Sequence, residues 1–138
     1  MNLDDALSAE HAAIWGYGVA GGHLSGPALE LARQCEAAHR DRRDALLEQL
    51  SGAGDPPPAA APAYDLPFPV TDQTSALRLA VQIEERTGAV WRSTLPQLTG
   101  DARRGPLNAL TDCAIRAARW RRLSGQTPGT VALPGTSS

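Results

Sequence analysis

Glu36 and His39 stand three residues apart in the run Glu36-Ala-Ala-His39-Arg40. On a helix that spacing puts a carboxylate and an imidazole on neighbouring positions of one face. A mixed oxygen and nitrogen donor set suits a divalent transition metal such as iron, manganese or zinc. Two further carboxylates occupy seam positions in otherwise apolar patterns, Glu10 in the first helical stretch and Glu84 in the third. Gathering Glu10, Glu36 and Glu84 into one layer sets like charges a few ångströms apart, on the order of 4 kcal/mol per close pair at an effective dielectric of 20. Some compensation is therefore required. A metal held by Glu10, Glu36, His39 and Glu84 is one expectation. The alternative is a metal-free polar network in which Arg43, one turn beyond His39, together with Arg40 neutralises the carboxylates; protonation of one Glu is a third way out.

Four helices must position these groups. Residues 3–24 carry Leu3, Leu7, Glu10, Ile14, Tyr17, Gly21 and Leu24 at alternating spacings of four and three, which predicts an amphipathic helix. Asn2 is its expected cap, with Asp4 and Asp5 placed favourably in the first turn. Ser25, Gly26 and Pro27 punctuate the chain and start a second helix over about 27–51, with its seam at Leu29, Ala32, Glu36, His39, Arg43, Leu46 and Leu50. The stretch 52–72 is rich in proline and alanine and reads as a long connection. It reaches up to about 69 Å when extended, against roughly 36 Å for a 24-residue helix, so it can run the height of a bundle as a crossover loop. The third helix, about 73–98, has its seam at Leu77, Val81, Glu84, Gly88, Trp91, Leu95 and Leu98. A second stripe on it, Leu79, Ile83 and Val90, requires cover from the crossover loop or from a partner subunit, and a homodimer through this helix is the expected assembly. The fourth helix is expected over about 103–125, with an apolar arc of Leu107, Leu110, Cys113, Ala114, Ala117 and Trp120, and 126–138 is a Pro-, Gly- and Ser-rich tail.

Helical rise places the candidate ligands at one depth. About the turn at Ser25, Glu10 lies roughly 22 Å before it and Glu36 and His39 about 16 and 21 Å after it. About a turn near Asp101, Glu84 lies roughly 25 Å before it, with Asp112 and Ile115 about 16 and 21 Å after it. The two halves echo each other, Glu36-Ala-Ala-His39-Arg40 against Asp112-Cys-Ala-Ile115-Arg116. With the runs Ala9-Glu-His-Ala-Ala-Ile-Trp15, Tyr64-Asp-Leu-Pro-Phe-Pro-Val70 and Ala117-Ala-Arg-Trp120, the chain resembles a bacterial ferritin-like domain family of unknown function. That resemblance implies an all-α, ferritin-like four-helix bundle over 1–125. It also implies an inward ligand set of the di-iron carboxylate kind, one Glu from each of two helices and a Glu-x-x-His from each of the others. Glu10, Glu36, His39 and Glu84 match it. Asp112 stands at the second Glu position, about 150° round from the apolar arc of its helix, and Ile115 replaces the second His.

Composition narrows the remaining classes. Thirteen arginines, no lysines and fifteen acidic residues give a net charge of −2, without the basic face of a nucleic-acid binder. No apolar run approaches the roughly 18 residues of a membrane span. The acidic start Met-Asn-Leu-Asp-Asp lacks the features of a secretory signal, so a cytoplasmic location is expected. Cys35 and Cys113 lie mid-helix and read as reduced core thiols. His11 reads as an interface residue and Trp15, Trp91 and Trp120 as core aromatics.

Overall fold

A computed structural model describes residues 3–52, 54, 56–125 and 134–135. Asn2, the expected cap of the first helix, and most of the expected tail lie outside the described residues. The architecture is a bundle of four helices, α1 (Leu3–Gly21), α2 (Gly26–Ser51), α3 (Gln73–Thr94) and α4 (Arg104–Leu123), with two short 3-10 turns at Leu95–Gln97 and Gly100–Arg103 before α4. No strand occurs among the described residues. No helix among them is long and apolar enough to cross a membrane.

The helix ends follow from local chemistry. Pro27 lies in the first turn of α2, where its missing N–H has no intrahelical partner to lose. Asp72 and Ser75 form a reciprocal cap on α3: the Ser75 backbone N–H donates to Asp72 Oδ1 at 2.9 Å and the Asp72 N–H to Ser75 Oγ at 3.1 Å. Pro96 falls in the 3-10 turn that follows α3, so the regular helix stops at Thr94 rather than near Leu98 as the seam suggested.

Packing is uneven round the bundle. α1 packs closely on both α2 and α3, α3 packs on α4, and α2 barely touches α4. Two apolar layers result. One gathers Tyr17, Leu24, Ala32, Leu77, Ala80 and Trp120 with Phe68 and Val70 of the connection against it; the other gathers Ala6, Leu7, Leu46, Trp91, Leu95 and Leu110. Each fully buried leucine contributes roughly 2 kcal/mol.

The second stripe of α3 is covered within the chain. Leu79 and Ile83 are buried, Ile83 directly against Gly16 of α1, and the 56–71 connection adds Tyr64, Leu66 and Pro67 along the same crevice. Tyr64 meets Trp15 of α1 with ring centroids 5.9 Å apart. A Cβ at position 16 would fall 2.8 Å from Ile83 Cδ1, so glycine here serves close helix approach. Among the described residues, the large apolar side chains left exposed are Leu66, on the connection, and Leu107, Ile115 and Leu123, all on α4. Leu107, assigned to the apolar arc from sequence, is thus half exposed.

Candidate functional site

Three helices send a pair of side chains toward the bundle axis and α3 sends one. On α1 the pair is Glu10 and Tyr17, two turns apart; on α2 it is Cys35 and His39, one turn apart; on α4 it is Arg116 and Trp120, one turn apart; α3 contributes Glu84. Spacings of four and seven keep each pair on one face. Glu10, His39 and Glu84 are at most 1% exposed.

His39 is the bridge. Its Nδ1 lies 2.9 and 3.0 Å from the two Glu10 carboxylate oxygens, and its Nε2 lies 2.8 Å from Glu84 Oε2. Ionised carboxylates only accept hydrogen bonds, so both ring nitrogens must carry hydrogen and the side chain is an imidazolium. Burial alone pushes the His39 pKa down. The Glu84 charge, hydrogen bonds donated to both carboxylates and the Glu10 charge together outweigh that and raise it to about 9. The Tyr17 ring stacks on the imidazole, centroids 5.7 Å apart.

Glu84 is the hub. Oε2 accepts from His39 and from the Tyr17 hydroxyl, and Oε1 accepts from Arg116 Nε at 3.0 Å. Burial raises its pKa, but the His39 charge and hydrogen bond, with Arg116 and Tyr17, hold the carboxyl below its usual range. Trp120 Nε1 donates to the Tyr17 oxygen at 2.9 Å, so the chain of donors runs Trp120 to Tyr17 to Glu84. Burial pushes the Tyr17 hydroxyl well up, and Glu84 adds to the effect, so tyrosine stays protonated and donates. Burial likewise pushes the Cys35 thiol up to about 11, with Glu84 reinforcing it. Cys113 is raised for the same reasons, and both cysteines are free thiols.

The charges close on themselves. Two buried anions, Glu10 and Glu84, face two cations, His39 and Arg116, and the network sits between the two apolar layers. Such an arrangement holds protons at fixed atoms and ties four helices together through directional bonds.

Three of the four candidate ligands come together in the fold. Glu10, His39 and Glu84 meet as the common depth required. Glu36 does not join them: it lies 28% exposed beside Arg40, at 3.8 Å. The reason is angular, since three residues place Glu36 about 60° round α2 from His39, while Cys35, buried one turn before His39, takes the inward position. Asp112 turns outward and accepts from Arg42 at 2.7 Å, and Ile115 is exposed. Arg43, the sequence candidate for the compensating cation, pairs with its neighbour Asp44 at 2.9 Å. The compensating arginine is Arg116, which sequence reasoning passed over. The signal available for it was its position one turn before Trp120 and one turn after Cys113 on the apolar arc.

The donor set differs from the metal centre that the ferritin-like resemblance implies. Both nitrogens of His39 are spent on carboxylates, Glu84 already accepts three donors, and a guanidinium occupies the side from which a second imidazole would have come. Among the described residues no group of three or more His, Cys, Asp and Glu side chains is arranged to hold a metal ion. The residues as placed do not fit a two-metal set.

A family profile described as "Domain of unknown function (DUF4439)" matches residues 2–138. The crystal structure of a conserved hypothetical protein from Mycobacterium tuberculosis is similar to this chain, with 38% sequence identity, a TM-score of 0.84, and coverage of 88% of this chain and 92% of that one. No curated protein matches the chain.

Proposed function

The chain belongs to the DUF4439 family of unknown function, and we propose that it is a non-catalytic helical-bundle module, closed at its centre by a buried histidine and arginine network on two carboxylates, that works by docking another polypeptide segment. The observation that carries the reading is His39 held by carboxylates through both ring nitrogens, at 2.9 and 2.8 Å. An imidazolium in that position supplies the positive charge that the sequence reading sought from a metal. Burial supports the same reading, because Glu10 and His39 are at most 1% exposed and Glu84 already accepts hydrogen bonds from three side chains.

The ferritin-like architecture belongs with this proposal. Support comes from the two closely packed hairpins, α1 with α2 and α3 with α4, and from the long connection that lies along α1 and α3, as a crossover would. The chain then keeps the bundle while His39 and Arg116 stand in for metal charge. A homodimer has little to gain at α3, where Leu79 and Ile83 are already covered within the chain.

The competing reading is a metal held by Glu10, Glu36, His39 and Glu84, iron, manganese or zinc being the candidates. Metal analysis of protein purified without chelator, beside a His39→Ala, Glu36→Ala double variant, separates the two. The network reading expects substoichiometric metal in both and a melting temperature unmoved by chelator. One equivalent of metal in wild type, lost in the variant, would overturn it.

A further inference from the structure

The outer face between α3 and α4 carries a cavity of about 570 Å³, and part of its wall is the chain's own C-terminal region. Arg92 of α3 donates from Nη1 to the Pro134 carbonyl at 2.8 Å. Pro134 and Gly135 form a turn there, with Gly135 at φ +84°. A Pro-Gly pair suits a turn of this kind, proline presetting the first central residue and glycine accepting the positive φ of the second. The seat also selects for glycine by shape. A Cβ at position 135 would lie 2.8 Å from Arg92 Cβ and 3.0 Å from Leu110 Cδ1. Three properties therefore coincide at one place: a donor aimed at a carbonyl, a pocket floor that excludes a side chain, and a half-exposed apolar rim at Leu107 and Ile115.

We infer that the α3–α4 groove is a binding site for a Pro-Gly turn, and that Pro134–Gly135 of this chain occupies it in cis. The inference deepens the docking role proposed above and rests on that reading for its biological purpose, but its chemistry stands on the groove alone. A peptide of the sequence Val131-Ala-Leu-Pro-Gly-Thr-Ser-Ser138 carries this Pro-Gly pair with its sequence neighbours and is the natural probe. Tethering holds the chain's own pair near the groove at a high effective concentration, on the order of millimolar for a short linker, so a free peptide competes poorly against the wild-type chain. A partner segment of the same class gains access only when the tail leaves.

The test uses full-length protein and a fluorescein-labelled peptide of the sequence VALPGTSS, read by fluorescence polarisation. Gly135→Val in the full chain unseats the tail in cis. The variant is expected to bind the peptide at least ten-fold more tightly than wild type does. Adding Arg92→Ala should abolish that gain, and a VALPVTSS peptide should bind neither protein. Equal affinity for wild type and Gly135→Val, or no binding to a Gly135→Val chain that melts like wild type, overturns the inference. An independent readout needs no groove variant: a spin label on Thr136→Cys should broaden the Leu110 methyl and Arg92 side-chain resonances, and their remaining sharp would also overturn it. Peptide binding and metal content are separate measurements, so failure here leaves the metal-free network standing, and the reverse.

Discussion

Raising the pH from 6 toward 9.5 should strip the proton from His39 and loosen the centre of the bundle. In the folded state the Glu84 and Glu10 carboxylates raise the His39 pKa to about 9, from the ordinary imidazole value of 6.5. Because the folded value is the higher one, the folded state binds more protons than the unfolded chain between these pH values. The stability contributed by His39 is fully present below pH 6.5 and is lost as pH rises through 9. A separation of this size corresponds to about 3 kcal/mol, at roughly 1.4 kcal/mol per pH unit. Against burial, which lowers the His39 pKa, the groups that raise it are Glu84 on Nε2 and Glu10 on Nδ1, through their charges and as hydrogen-bond acceptors. Urea unfolding followed by tryptophan fluorescence at pH 6, 7, 8, 9 and 9.5 gives the curve. The midpoint should hold steady near pH 6 and fall progressively above it. His39→Gln has no charge to lose, so its curve should be lower at pH 6 and much flatter. A wild-type curve that stays level to pH 9, or a His39→Gln curve that falls as steeply as wild type, would refute the imidazolium assignment.

Other perturbations grade the network against its surroundings. Arg116→Ala should destabilise by about 3–5 kcal/mol, because Glu84 keeps a buried charge with one cation fewer, and urea unfolding at pH 7 reads it. Arg42→Ala removes a partly exposed pair with Asp112 and should cost under about 1 kcal/mol in the same assay; equal losses in the two variants would sink the ranking. Acid should also unfold the bundle through Glu84, whose folded pKa is depressed: its contribution is present above its unfolded value and lost as pH falls through the folded one, an effect Glu84→Gln should remove. Gly16→Ala gains up to about 1 kcal/mol of helix propensity but forces Ile83 aside at a cost of about 1–3 kcal/mol. Paired with Ile83→Val, which deletes the methyl 2.8 Å from the new Cβ, it should become neutral or stabilising, and a double-mutant cycle without coupling would show that the two side chains do not compete.

The sequence by itself determined the helical architecture, because apolar spacings of three and four, the Ser25-Gly26-Pro27 break and the proline-broken stretch between α2 and α3 are local signals. It also determined that Glu10, His39 and Glu84 share a level, since depth follows from counting residues at constant rise. Rotation about each helix axis was less legible. Glu36 and Cys35 differ by one position, and only packing against α1 decided that Cys35 faces in and Glu36 out. The identity of the balancing cation was decided in the same way. Arg43 lies on the same helix as His39 and looked nearer in sequence, but Arg116 approaches from α4 and reaches Glu84 at 3.0 Å. Buried charge must be neutralised by whichever cation the assembled helices bring within reach, and that choice is fixed by tertiary contacts that no single helix contains.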